Sequence, residues 1–285
     1  SHMARYWWLP LLLVAASGAS CPQVVDQYKV PVARVLPEQP SLESIISTIN
    51  ENSNRVDSLY TTTASIKVPA LPTIKANLAY ERERRFRLFA ETALAGTAVD
   101  LGSNDEGFWF SASQNNPPTI FFCSHSDFPT SPARQTLSVE PTWLVEALGV
   151  VYFDPADQHY GPFPHQNGKL ELRTETADWK RITIIDAERG WILEQHAYDE
   201  HGQLIASAVA SRHQRDPVSE ATLPRLVEIH WPAMDLRLKL ELDGLRINDL
   251  PGEHQLWAMP QYSGWQTVDL GHQRMPNSPA DDGRR

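Results

Sequence analysis

From residue 58 onward the apolar residues of this chain recur at every second position, and that period of two limits its fold more than any other feature. Leu236, Leu238, Leu240 and Leu242 alternate with Arg237, Lys239, Glu241 and Asp243. Ile74, Ala76, Leu78 and Tyr80 alternate with Lys75, Asn77, Ala79 and Glu81, and Phe86 and Leu88 carry the apolar phase past the charged stretch 81–85. Successive side chains of a strand point to opposite faces, so such segments bury one face of a sheet and wet the other. Tyr60, Thr62, Ala64, Ile66 and Val68 set the same phase in the first strand. Further strands are expected at 97–101, 107–113, 119–123, 169–176, 180–186, 191–198, 204–213 and 225–231, parted by turn residues such as Gly102-Ser103-Asn104-Asp105. No strand–helix–strand rhythm runs through them, which excludes a parallel α/β sheet. The expected fold is mainly β: an antiparallel curved sheet, an incomplete β-barrel, with two short helices on the concave face.

The helices are legible at two places. Ser41 is a suitable N-cap for a segment with Leu42, Ile45, Ile46 and Ile49 on one face, ending over Asn50–Asn54. Trp143, Leu144, Ala147 and Leu148 follow Pro141 at helical spacing, and Gly149 stops the run. Two stretches, 124–134 and 152–167, carry no period and read as long irregular loops.

The N-terminus has a different character. Ser1 and His2 ahead of Met3 read as a cloning remnant. Arg5, the apolar run Tyr6–Ala16 and the small residues 17–20 have the anatomy of a signal peptide, and the run is too short for a mature membrane span, which needs ~20 residues. Cys21 directly after the small residues is the expected lipid-attachment site; an ordinary signal peptide followed by an incidental cysteine is the alternative. Four segments are therefore expected: 1–20 remnant and signal peptide, 21–40 lipidated N-terminus and proline-rich tether, 41–270 the β domain, and 271–285 a polar, disordered tail.

Charge and motifs exclude several functions. With 25 Lys+Arg against 35 Asp+Glu the net charge is -10, which argues against a nucleic-acid partner. Two cysteines give no disulfide framework, and Cys123, after Ile120-Phe121-Phe122, reads as a small buried hydrophobe. The histidines lack metal-site spacing, and no nucleophile elbow or phosphate-cradling glycine loop occurs, so no catalytic residue, metal or cofactor is expected. Asp154, Asp157 and His159 could perform acid–base work, or simply make a polar loop. Arg82, Arg84, Arg85 and Arg87 form the densest basic cluster. They read either as a patch for phospholipid headgroups or an acidic partner, or as a solvated strand end with cross-strand ion pairs.

A leading helix, the strand at 58–68, the segment YERERRFRL (80–88), GFWF (107–110) and the late LVEIHWP (226–232) together resemble the LolA and LolB outer-membrane lipoprotein carriers and receptors. The resemblance implies an incomplete barrel with a hydrophobic cavity for lipid or lipoprotein acyl chains. Ile74, Leu78, Tyr80, Phe86, Leu88, Trp109, Trp143, Leu144, Leu148 and Trp231 would line it, and Arg87 would regulate the lid. It also implies a non-catalytic lipoprotein at the periplasmic face of the outer membrane, anchored by acyl chains on Cys21. The alternative is a structural or assembly lipoprotein that docks to an envelope protein without carrying lipid.

Overall fold

The period-two segments all join one sheet. The computed structural model describes residues 33–69, 72–93, 96–252 and 254–272. The expected signal segment, Cys21, the tether as far as residue 32 and the tail from residue 273 lie outside the described residues. The chain begins with α1 (Leu42–Asn54), followed by β1 (Ser58–Lys67), β2 (Ile74–Glu81), β3 (Arg85–Thr92), β4 (Gly96–Ser103), β5 (Gly107–Ala112) and β6 (Thr119–Ser124). Two short helices, α2 (Arg134–Leu137) and α3 (Trp143–Ala147), interrupt the strands. There follow β7 (Gln158–His165), β8 (Lys169–Glu175), β9 (Lys180–Asp186), β10 (Ile192–Tyr198), β11 (Leu204–Ser211), β12 (Gln214–Arg215) and β13 (Thr222–Leu223). The last strands are β14 (Leu226–Trp231), β15 (Leu236–Glu241), β16 (Arg246–Ile247) and β17 (Gln266–Asp269).

Fifteen strands form one curved, unclosed sheet in the order β17-β6-β5-β4-β3-β2-β1-β15-β14-β11-β10-β9-β8-β7, with β16 pairing β1 to the side. Its neighbours are antiparallel except β17, which runs parallel to β6. The two expected helices are present as α1 and α3, and the single turn of α2 precedes the second. Ser41 caps α1 as expected, its hydroxyl accepting from the Ser44 amide at 3.1 Å.

The helices cover one face, here called inner. Inner residues of β1–β6, β11, β14 and β15 pack with α2 and α3 into one core. A second core joins Ile45 and Ile49 of α1 to Val151, Phe153, Leu172, Ile185 and Ile192. Full burial of a Leu or Phe contributes about 1.5–3 kcal/mol, so these clusters supply the main driving force. Polar side chains fix the pose of α1. Asn50 exchanges two hydrogen bonds with the backbone of Phe153 (2.8 and 3.0 Å), and Asn52 does the same with Thr222 (2.7 and 2.9 Å). The expected tether is ordered at its end, where Leu36 enters the second core and the Val35 and Leu36 amides donate to the Glu188 carbonyl.

Three expectations need correction. The stretch 152–167, read as a loop, contains the edge strand β7. Its Pro162 and Pro164 hid it, and proline is tolerated there because an edge strand has one unpaired side. In β1 the register shifts between Thr61 and Ala64, so Leu59 and Thr61 face inward before the bulge, Ala64 and Ile66 after it. Tyr60 and Thr62 are therefore off the inner phase. Trp109 also lies on the outer face. Phe108 and Phe110 point into the core, while the Trp109 indole lies over Gly102 of β4, so close that a Cβ there would clash. Only glycine fits beneath it.

After β15 the chain crosses that outer face. Leu256 lies beside Arg87, Phe89 and Tyr60, Asn104 donates to the Trp257 carbonyl at 3.0 Å, and β17 then pairs with β6.

Candidate functional site

A cleft of about 760 Å³ opens where the two cores meet. Its walls are the C-terminal end of α1, the end of β2 with the following turn, the segment from Arg134 to Tyr152 and Trp179. Each wall has a local cause. Gly149, at φ +95°, turns the chain out of α3 and sends Val150 and Val151 back along the cleft. Tyr80 is the last inner residue of β2, and Trp143 opens α3 and packs edge-on against Trp231 at 6.5 Å. Tyr80, Trp143, Val145 and Val150 make the apolar lining, and burial pushes the Tyr80 hydroxyl pKa upward.

The rim is charged, and most of its charges are engaged. Arg82 donates to the Ser53 and Val56 carbonyls at 2.6 and 2.7 Å, closing the C-terminal end of α1 with the cation that the helix dipole favours. Arg134 pairs with Asp178 at 2.9 Å. Buried Arg181 pairs with Glu146 at 2.6 Å, its guanidinium set between the rings of Phe153 and Trp179. His125 meets the Glu140 carboxylate at 2.9 Å and the Asn104 carbonyl at 2.9 Å, and the hydrogen bond to Glu140 raises its pKa. Arg84 is exposed, and its side chain has no hydrogen-bonded or ion-paired partner among the described residues.

The sequence-derived residues fall into three groups. Tyr80 and Trp143 line the cleft. Ile74, Leu78, Phe86, Leu88, Leu144, Leu148 and Trp231 are buried in the core on which the cleft opens. Trp109 and Arg87 belong to the outer face, where both bond to Asp100 under Tyr262. Of the basic cluster, Arg85 bonds to Asp105 and Glu81, Arg82 and Arg87 are engaged as described, and Arg84 alone has no side-chain partner among the described residues. His159 contacts the Thr174 hydroxyl at 3.0 Å and the Asp154 backbone carbonyl at 2.7 Å, while the Asp154 carboxylate accepts from the Ala156 amide. This geometry does not unite the two side chains as an acid–base pair.

Sequence reading missed Glu146, Trp179 and Arg181. Arg181 sits on the inner phase of β9, but Ile182 and Ile184 on the other phase are as apolar as Ile185, so alternation there marks no face.

No family model matches the chain, and no curated protein matches it. Among solved structures it is similar to a candidate outer membrane lipoprotein-sorting protein domain from Vibrio parahaemolyticus, at 12% identity and a TM-score of 0.49, covering 74% of this chain and 95% of that one. It is also similar to a DUF1329 family protein from Desulfovibrio piger, at 11% identity and a TM-score of 0.48 over 76% and 98% of the two chains. A LolA superfamily protein from Nitrosomonas europaea is similar at 10% identity and a TM-score of 0.44 over 75% and 97%. The architecture itself is an open curved antiparallel sheet with helices on its inner face, as the alternation in the sequence leads one to expect.

Proposed function

We propose that this chain is a cell-envelope lipoprotein whose β domain binds the acyl chain of a lipid or lipoprotein, without catalysis, in the cleft between Tyr80 and Trp143. The cleft carries the reading: its volume of about 760 Å³ is that of a ligand pocket, Tyr80, Trp143, Val145 and Val150 give it an apolar strip beside a charged rim, and it adjoins the apolar core. Burying an acyl chain there gains about 25 cal/mol per Å² of apolar surface. Arg84, without a side-chain partner among the described residues, stands at the rim where an anionic headgroup would lie. Acylation of Cys21 would hold the domain at the periplasmic face of the outer membrane, since several acyl chains together make a stable anchor.

The test uses full-length Cys21→Ser protein, which cannot be acylated, titrated with a fluorescent fatty acid and examined by native mass spectrometry. Saturable binding that competes with unlabelled oleate is expected, as is its loss in Val150→Asp, which places a charge on the lining. Absence of saturable binding in the parent protein, together with a partner recovered by crosslinking in the envelope, would replace this reading with that of a docking scaffold.

A further inference from the structure

Behind one wall of the cleft, three buried polar atoms have no hydrogen-bond partner among the described residues: Arg181 Nε, Thr183 Oγ1 and Gln195 Oε1. Their residues are 4%, 0% and 2% exposed. They form a cluster. Arg181 and Thr183 are alternate residues on one face of β9, and Gln195 of β10 stands directly opposite Thr183. A native interior leaves few such groups unsatisfied, because each costs the desolvation of a donor or acceptor without a return. The three stand together on one patch of the sheet, behind the Glu146 that lines the cleft.

The rest of these side chains is held in place. Glu146 of α3 takes the Arg181 guanidinium on its carboxylate at 2.6 Å, and its backbone carbonyl accepts from Gln195 Nε2 at 2.8 Å. The same Glu146 lines the cleft, so one residue forms the boundary between cleft and cluster. The chemistry of the unpartnered atoms is specific. Arg181 Nε–H can only donate, Gln195 Oε1 can only accept, and the Thr183 hydroxyl does either. A complementary group carries an acceptor with a donor beside it. Water satisfies that description, and so does a carbonyl next to an N–H or O–H at the head of an acyl chain lying in the cleft.

We infer that Arg181, Thr183 and Gln195 form the headgroup subsite of the acyl-binding cleft and select acyl ligands whose carbonyl has a neighbouring N–H or O–H donor. The inference rests on the acyl-binding reading above. It is tested on full-length Cys21→Ser protein by displacement of a fluorescent fatty acid with oleamide, 1-monoolein and methyl oleate, the last having a carbonyl but no donor. Oleamide or monoolein is expected to bind more tightly than methyl oleate, and whichever is preferred identifies an amide or a hydroxy-ester head. Gln195→Met is expected to weaken the preferred ligand about 5- to 30-fold, the worth of one buried hydrogen bond, and to leave methyl oleate unchanged. Thr183→Val, equal in shape and lacking only an unpartnered hydroxyl, retains the fold and weakens ligands that use the carbonyl. Equal affinity for all three ligands, or variants that bind as the parent does, would assign the cluster to ordered water and overturn the inference while leaving the cleft's function intact. Failure of the parent to bind any acyl probe would overturn both.

Discussion

Asp100 is a carboxylate with no exposed surface, and it is tolerated because donors converge on it from three directions. Arg87 reaches it at 2.9 and 3.3 Å, Trp109 Nε1 at 3.0 Å and the Tyr262 hydroxyl at 2.6 Å. Asp100→Asn is expected to cost about 3–5 kcal/mol in urea unfolding, since it strands Arg87 beside a neutral amide. Tyr262→Phe is expected to cost less, about 1.5–3 kcal/mol, the worth of a hydrogen bond to a charged group. Burial, with the bond to Asp100, pushes the Tyr262 pKa up to about 12, so this donor keeps its proton at any ordinary pH. Alternation with Phe86 and Leu88 already set Arg87 off the inner face, but nothing local announced a partner tyrosine 162 positions from Asp100. Trp109 was misplaced for a related reason: in GFWF every residue after the glycine is apolar, so no phase can be read.

The legible elements were those whose burial is one-sided. Ile45 and Ile49 fixed α1, and Leu238 and Leu240 fixed β15, because only one face of each is apolar. Elements held by backbone pairing rather than by apolar burial, such as β7 and β17, left no such signature. Asn50, read only as part of the end of α1, is instead its clamp to Phe153. Asn50→Ala is expected to lower stability by about 1–3 kcal/mol, measurable as a lower urea midpoint, because it removes two hydrogen bonds at a buried junction.

The His125–Glu140 contact ties the end of β6 to the segment that leads into α3 and walls the cleft. The folded His125 pKa is raised above its unfolded value of ~6.5 by the Glu140 hydrogen bond, so the contact contributes fully below about pH 6.5 and is lost as pH rises through the folded pKa. The stability difference between parent and Glu140→Gln is therefore expected to be largest near pH 5 and to shrink toward pH 9. A difference independent of pH would show that His125 stays neutral in the fold.

At the scale of the molecule, an open sheet has two edges, and each is guarded differently. On one side β7 carries Pro162 and Pro164 and is mostly exposed; on the other, β17 covers β6, whose Ile120-Phe121-Phe122 would otherwise present an apolar edge. A chain ending at Gln261 loses both the Tyr262 bond and β17, and light scattering is expected to show it associating where the full chain remains monodisperse. The overall class was legible because alternation persists across most of the strands, whereas the strap that closes β6 is a matter of chain path, which no local period encodes.

The parallel pairing of β17 with β6 also sets an order of events. A chain synthesised from its N-terminus completes β6 at Ser124 and reaches the strand that covers it only at Gln266. Throughout that interval the Phe121 edge has no partner of its own, so the nascent chain is most prone to sticking before residues 266–269 emerge, and its tolerance of termination ahead of them is correspondingly poor.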